Sequence, residues 1–469
     1  MTCRPVATLV AALGLAACAA QPETSGPLPT APLPPTFDSG MPSAATATPS
    51  SGRWWTAFGD PTLTDLIDQA LARNNDLAAA AIKVRHARLA AGLAADKQRP
   101  TLDATVATQG SRTLSTSPAT TGLQPGQAQS NSFTSSSAAL SVSYEVDLWG
   151  RLASARDAQE WEAAATDQDC QSTALTLAGT TARLYWTIRY LDLRLALGRQ
   201  DVDYARRTLS LVAARRGAGA VGAIEVDQAR QDLQSQLADQ QAFLTQREQT
   251  QRALAILFDG PPRDMSLPEG DLADRRLTPL STGVPAALLD RRPDLRAAAL
   301  RLKEYLATVD ATRAGYLPTL SLSTSLAGSG TTLAQLLQNP AATLGANLVL
   351  PFLNWSQMEH STALSQADYD QAVVAFRQSV YAAVKDVDDA LSAERHDGEQ
   401  GRRLEAALEA ARSVEAHSEA RYRAGAATLQ SWLDAGAKRR STEAALLANR
   451  LSRLDDRVTL YLALGGDAG

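Results

Sequence analysis

Four short stretches of the chain alternate apolar and polar residues with a period of two. Leu102, Ala104 and Val106 alternate with Thr101, Asp103 and Thr105, and Leu140, Val142, Tyr144, Val146 and Leu148 with Ser141, Ser143, Glu145 and Asp147. Leu320, Leu322, Thr324 and Leu326 alternate with Ser321, Ser323 and Ser325, while Leu344, Ala346, Leu348, Leu350 and Phe352 form a fourth run with Asn347 on the other face. A helix would scatter such sets around its circumference, whereas a strand sends alternate side chains to opposite faces. The pattern predicts strands over about residues 101–109, 138–148, 318–327 and 343–352. That is the length and pattern of an outer-membrane strand, about 9–11 residues, apolar toward lipid and polar toward a lumen. A soluble sandwich face is the alternative, but four strands set among very long helices would make a poor one.

The rest of the chain reads as helix. After Trp149, and again after Trp355, no proline interrupts the sequence for about 65 residues. Apolar residues recur there at helical steps, as in Leu184, Ile188, Leu191 and Leu195, or Val380, Val384, Val387 and Leu391. At 1.5 Å per residue such helices reach on the order of 100 Å, which suits a long coiled coil rather than a typical globular helix. An Ala- and Leu-rich first helix is expected from about Pro61 to Gln98. Segments Gly110–Asn131 and Gly328–Pro340, rich in Gly, Ser, Thr, Pro and Gln, suit exposed loops.

These elements occur twice. Asp76-Leu77 lines up with Asp294-Leu295 and Pro100-Thr101-Leu102 with Pro318-Thr319-Leu320, an offset of 218. From Trp149 over Trp355 onward the offset is 206, carrying Ala218-Gly219 onto Ala424-Gly425, Ala229 onto Ala435, Leu254 onto Leu460 and Gly260 onto Gly466. One register change implies a duplicated unit whose first copy has a loop about 12 residues longer. Chance matching of Ala-rich words would not keep one register for so long. The copies span 53–260 and 289–469, with a linker at 261–288.

The N-terminus adds a compartment. Arg4 precedes an apolar run, Val6 to Ala17, that ends in Leu15-Ala16-Ala17-Cys18. About 12 apolar residues cover roughly 18 Å as a helix, short of a ~30 Å hydrocarbon core, so residues 1–17 read as a signal peptide. The small residues before Cys18 resemble a lipobox, which would make Cys18 an acylated N-terminus; an ordinary secretory peptide is the alternative. Ala19-Ala20 lacks the aspartate associated with inner-membrane retention in such lipoproteins, which favours the outer membrane. Residues 18–52, with eight prolines from Pro22 to Pro49, form an extended tether. Cys3 would leave with the signal, and Cys170 remains as a free thiol, so no intrachain disulfide is expected.

Charge narrows the partners. With 45 Lys+Arg against 50 Asp+Glu, the net charge of −5 argues against nucleic acid. No stretch after residue 20 is apolar enough to be a transmembrane helix, so a membrane-integral form must use its strands. Four strands cannot close a barrel, and open edges are not tolerated in lipid, so the chain must oligomerise. Three copies would give 12 strands and an open lumen, two would give eight and a plugged one; strand spacing does not choose between them.

Candidate chemistry is sparse. His86, His360, His396 and His417 are scattered over predicted helices, and no H-E-x-x-H, C-x-x-C or G-x-S-x-G is present. Gly217 to Gly222 fits G-x-G-x-x-G, but it follows a helix and its repeat partner lacks it, so nucleotide binding is discounted. No enzyme activity, cofactor or metal is expected, and Asp386, Asp388 and Asp389 read as a solvated helix face. Tyr144, Trp149, Tyr316, Phe352 and Trp355 cluster where strand meets helix, either as an interfacial belt or as packing of the corner. Gly219 and Gly425, preceded by Arg216 and Arg423, read as left-handed caps ending long helices.

Tyr144-Glu-Val-Asp-Leu-Trp-Gly-Arg151, Ala314-Gly-Tyr-Leu-Pro318, Arg421-Tyr-Arg-Ala-Gly425 and Leu433-Asp-Ala435 resemble signature segments of the TolC-like outer-membrane factors, particularly the acylated OprM and NodT branch. The likeness runs from Trp54 to Gly466. It implies a homotrimer with a 12-strand β-barrel in outer-membrane lipid and a 12-helix α-barrel in the periplasm, mainly α by residue count. It implies a periplasmic adaptor and an inner-membrane pump of the resistance-nodulation-division type as partners, and efflux of drugs or other small molecules. By the same resemblance the turns at Gly219 and Gly425 meet the adaptor, and Asp434 lines the narrowest part of the periplasmic entrance. Gln430 lies one turn earlier, and the repeat carries Asp434 onto Gln228, beside Asp227. Three inward carboxylates would favour hydrated cations; a solvated helix face is the alternative for Asp434. Where the OprM branch has an arginine three residues beyond this aspartate, the chain has Ala437, followed by Lys438-Arg439-Arg440, which puts the family's ionic lock in doubt. A type I protein secretion duct shares the fold, and a periplasmic coiled-coil scaffold or adaptor lipoprotein is a reading of a different class.

Overall fold

The computed structural model describes residues 32–37, 52–113, 131–261, 267–268, 272, 285–331, 335, 338 and 340–466. The signal segment, Cys18, most of the tether and most of the linker lie outside the described residues. In chain order the elements are α1 (Pro61–Arg73), α2 (Asn75–Asp96), β1 (Thr101–Thr113), β2 (Asn131–Val146), α3 (Arg151–Gly217), α4 (Ala223–Ile256), α5 (Leu288–Arg291), α6 (Pro293–Ala314), β3 (Thr319–Gly330), β4 (Ala341–Val349), α7 (Trp355–Arg423) and α8 (Leu429–Ala463). Two compact units result. One, with Arg85–Ala165 and Ala299–Val374, contains the sheet; the other draws on Thr30–Val84, Thr166–Ala298 and Ala375–Gly469 and is built on the long helices.

The strands form one antiparallel meander, β1-β2-β3-β4. Its register sorts the sequence alternation into complete rows. Leu102, Val142, Thr324 and Leu344 are cross-strand neighbours, and so are Ala104, Leu140, Leu326 and Ala342. The next row over is Asp103, Ser141, Ser325 and Thr343. Because side chains alternate faces, the apolar rows share one side and the polar row the other. The apolar side is bare within one chain: Leu344 is 86% exposed and Val106 73%. Strand ends differ from the sequence pattern. β2 begins at Asn131, and β4 stops at Val349 because Pro351, with no N–H to give, starts a single 3-10 turn that takes Leu350 and Phe352 out of the ladder.

The expected single helix from Pro61 to Gln98 is two helices. Asn74 turns extended, its Oδ1 accepting the N–H groups of Asp76 at 2.9 Å and Leu77 at 3.1 Å while its Nδ2 donates to the carbonyl of Leu257 at 3.2 Å. It thus ends α1 and caps α2, because its side chain satisfies the next helix's first N–H groups. At the repeat position the same break falls between Arg292 and Pro293, where proline forces Arg292 extended. In the helical unit Ile188, Leu191, Val380 and Val387 are buried, as the helical spacing predicts, and Leu184 and Val384 are half-buried. Gly179 lets its helix approach α8 closely: a Cβ there would sit 2.7 Å from a methyl of Leu462. No helix among the described residues is long and apolar enough to cross a membrane.

Candidate functional site

The strand-to-helix corner explains most of the aromatic cluster. Glu145 at the end of β2 holds Arg151 of α3 through both carboxylate oxygens, at 2.7 and 2.8 Å from Nη2. Asp147 Oδ2 accepts the N–H of Ala153 at 2.8 Å, capping α3, and Gly150 takes the left-handed φ of +72° that the sharp turn needs. Trp149 Nε1 donates to the carbonyl of Pro318 at 2.8 Å, so segments 144–151 and 314–318 meet in space. Tyr316 Oη is bonded to Ser361 Oγ at 2.8 Å. Of the five aromatics, Trp149 and Tyr316 therefore pack the corner, Tyr144 lies half-buried opposite Leu322, and Phe352 and Trp355 are exposed.

The two helix-ending turns are copies of one another. Gly219 has φ +72° and Gly425 φ +76°. Ala220 N donates to Arg215 O at 2.9 Å and Ala426 N to Arg421 O at 2.8 Å, each enclosing a glycine bond, Gly219 N to Arg216 O and Gly425 N to Tyr422 O, the paired bonds of a helix end that reverses through a left-handed residue. Arg216 is exposed, and Arg423 pairs with Glu419 of its own helix at 2.6 Å. The turns are also bound together. Arg215 Nη1 donates to the carbonyl of Tyr422 at 2.9 Å, its guanidinium 4.5 Å from that ring's centroid, and Val212, Val226, Ala229, Tyr422, Leu429 and Trp432 form one buried cluster. Trp432 Nε1 donates to Tyr204 Oη at 2.9 Å, and burial pushes that phenol's pKa well above its usual value.

The four residues expected at the entrance form two separate arrangements. On α8, Gln430 Nε2 donates to Asp434 Oδ1 at 2.7 Å, and both side chains are exposed. On α4, Asp227 is turned to Arg230 at 3.0 Å, while Gln228 is half-buried. Ala437 is exposed and makes no ionic contact, but Arg439 and Arg440 after it do. Arg439 reaches Asp201, Glu415 and Glu443, and Arg440 reaches Asp232. Sequence reasoning left Arg439 and Arg440 without a role, since Asp201 lies 238 residues away from Arg439. Gly436 is the visible clue, because it lets the carboxylate of Glu415 approach the α8 backbone: a Cβ there would be 2.9 Å from Glu415 Oε1.

Two more acidic groups are displaced. Burial pushes Asp455 to about 6, with Arg183 opposing the shift. Burial, then Asp397, pushes Asp456 to about 7, with Asp455 and Glu394 adding to it. Asp386, expected on a solvated face, is 46% exposed and also pairs with the largely buried Arg292 at 3.2 Å. Among the described residues, no group of three His, Cys, Asp or Glu could hold a metal ion.

The family of outer membrane efflux proteins matches the chain twice, over residues 66–258 and 284–466. The chain is 34% identical over 466 residues to the pyoverdine export outer membrane protein OpmQ of Pseudomonas putida, covering 99% of this chain and 97% of that one. It is 30% identical over 442 residues to the toluene efflux pump outer membrane protein TtgF of Pseudomonas putida, covering 90% and 88%. Among solved structures, the open state of the MtrE outer membrane channel of Neisseria gonorrhoeae superposes with a TM-score of 0.79 at 27% identity, covering 94% of this chain and 97% of that one.

Proposed function

The chain belongs to the outer membrane efflux protein family and is an outer-membrane efflux channel subunit; from that premise we propose that three copies form a passive exit duct, fed through a periplasmic adaptor by an inner-membrane pump of the resistance-nodulation-division type. The observation that carries this is the four-strand sheet, greasy on one side and polar on the other, with β1 and β4 left as edges. In a four-strand meander β1 and β4 run in opposite directions, so β4 of one copy can continue into β1 of the next as an antiparallel pair. Repeated three times, this closes a 12-strand barrel with its polar rows inward and its apolar rows in lipid.

The residue roles are carried over from the family resemblance. Cys18 carries the lipid that anchors the N-terminus in the outer membrane. The paired turns at Gly219 and Gly425, with Arg216 and Arg423 exposed beside them, meet the adaptor. Asp434, steadied by Gln430, rings the entrance and favours cations, with Gln228 and its neighbour Asp227 at the corresponding position of the first repeat. Phe352 and Trp355, exposed next to the sheet, sit at headgroup level. The cargo is small molecules, of the broad kind that OpmQ and TtgF are named for.

The test is reconstitution of the purified trimer in planar bilayers. Cation-preferring single-channel currents are expected, with Asp434→Ala weakening the preference. A delipidated protein that stays monomeric and dissolves in plain buffer would overturn the duct.

A further inference from the structure

Only three residues of the four described strands are charged, and they do not share a side. Asp103 and Glu145 stand on the polar face, in the rows of Ser141 and Ser321 respectively. Arg112 of β1 falls on the apolar face, in phase with Leu102, Ala104 and Val106. Glu145 is held by Arg151, whereas Arg112 is exposed and meets no partner among the described residues.

The depth of Arg112 follows from the rows beneath it. Five mainly apolar rows cross that face, from Val146, Leu320 and Leu348 at the helix end of the sheet to Val106, Ala138 and Gly328. The next row is polar but closed on itself: Thr108 Oγ1 lies 3.2 Å from Ser136 Oγ, and Ser136 is 2% exposed. Ser136 precedes Val146 by ten residues, which is about 33 Å of strand and, at a tilt of about 40°, about 25 Å of height. That is the height of the apolar band of an outer-membrane barrel. Arg112 lies four residues beyond Thr108, about 13 Å of strand and about 10 Å of height. Between them on this face stands only Gly110, where a Cβ would meet nothing within 4 Å. The arginine stem therefore has a clear path back along the strand, and its guanidinium reaches headgroup level. This end of the sheet is the one without helices, so in the assembled duct it faces away from the periplasm.

A charge on the greasy face of a barrel is costly at mid-bilayer and nearly neutral at the interface, which is where the single charge of this face falls. A guanidinium presents paired N–H donors that match the oxygens of a phosphate, and the outer leaflet of an outer membrane is a phosphate-bearing glycolipid. The geometry points to Arg112 as a docking site for the phosphate of an outer-leaflet lipid, on the lipid side of the β1–β2 hairpin and once per copy. The occupant is a lipid rather than a free ion, because one guanidinium stands above an apolar wall: acyl chains gain a surface there and a lone anion gains nothing beyond a single charge. This rests on reading the apolar face as the one turned to lipid.

The experiment is native mass spectrometry of the full-length trimer, titrated with bisphosphorylated lipid A or with lipid A stripped of its phosphates. Arg112→Gln is expected to weaken binding of the phosphorylated lipid roughly fivefold per site, the weight of one basic residue at an anionic surface, and to leave the stripped lipid unaffected. Arg112→Lys, which keeps the charge and loses the planar fork, is expected to fall between Arg112→Gln and the wild type. Exchanging the two neighbours, Ser111→Arg together with Arg112→Ser, moves the charge to the polar face at constant net charge, and is expected to bind as weakly as Arg112→Gln. Wild-type binding in the exchanged protein would overturn the placement on the lipid side, and wild-type binding in Arg112→Gln would overturn the site. Displacement of the lipid by inorganic phosphate at equal concentration would overturn the lipid as occupant. If Arg112→Gln fails to assemble, the exchanged protein decides alone. A wild type that never forms a trimer sinks the duct and this site with it, whereas a wild-type trimer whose lipid binding ignores Arg112 sinks the site alone.

Discussion

Asp456 is a carboxyl pressed by its own fold toward Asp397 and Glu394, with Asp455 beside it. Its pKa is raised to about 7 by burial first and by Asp397 second. A carboxyl whose folded value lies above its ordinary one contributes stability that is present at low pH, below about 4, and is lost as pH rises through the folded value. For Asp455 and Asp456 that loss runs from about 4 up to about 6 and about 7. Asp456→Asn keeps the shape and removes the charge. The thermal midpoint of the detergent-solubilised trimer is expected to rise in this variant at pH 8 and to rise much less at pH 5, where the loss has only begun. A gain that is the same at both pH values would mean that the charge is not the cause. Nothing in the local sequence announces this group: Leu454-Asp455-Asp456-Arg457 reads as an ordinary polar helix face, and Asp397 and Glu394 lie on another helix, α7. The corner motif is legible in a different way. Its residues stand out in the sequence, but only the fold shows that Trp149 is spent on the carbonyl of Pro318 rather than on lipid.

Elements were easier to read than residues, because periodicity survives folding. The strands follow from alternation and the long helices from uninterrupted helical spacing, both of which reflect burial on one face. What periodicity does not carry is an interruption whose cause is a single polar side chain. The break at Asn74 depends on Leu257 being in reach to receive its amide, whereas the matching break at Arg292-Pro293 is visible as a proline. The left-handed turns, by contrast, are visible as glycine after a basic helix end, and both copies have the geometry expected of that pattern. Gly219 and Gly425 have open space where a Cβ would go, so an alanine there is resisted by backbone strain alone. Gly219→Ala is expected to cost about 1 kcal/mol locally, and to speed hydrogen exchange at the Ala220 amide roughly fivefold, because that bond exists only while the turn is left-handed. Exchange unaltered at Ala220 would show that the turn relaxes without loss.

At the scale of the whole molecule, the duplicated sequence leads to a sheet whose two faces differ in kind. Two substitutions one residue apart separate those faces. Leu344→Arg places a charge on the greasy side, at a position 86% exposed within one chain, and at mid-bilayer depth it is expected to cost about 2–4 kcal/mol per copy. Thr343→Arg, on the polar side with Asp103, Ser141 and Ser325, is expected to be tolerated. The amount of trimer recovered from outer membranes reads the difference; equal yields would mean that the faces are not lipid and lumen. The copy number was not legible from strand count, since two or three chains both satisfy the demand for closure, and the contacts that would choose lie between chains.

The unpaired flanks of the sheet set a condition on biogenesis. A lone copy in hydrocarbon would hold two ladders of backbone amides with neither water nor a neighbour to meet them, so no stepwise route through embedded monomers is thermodynamically open. Entry into the bilayer and association must then be one concerted event. A copy that misses its companions stays on the aqueous side, where it is within reach of proteases.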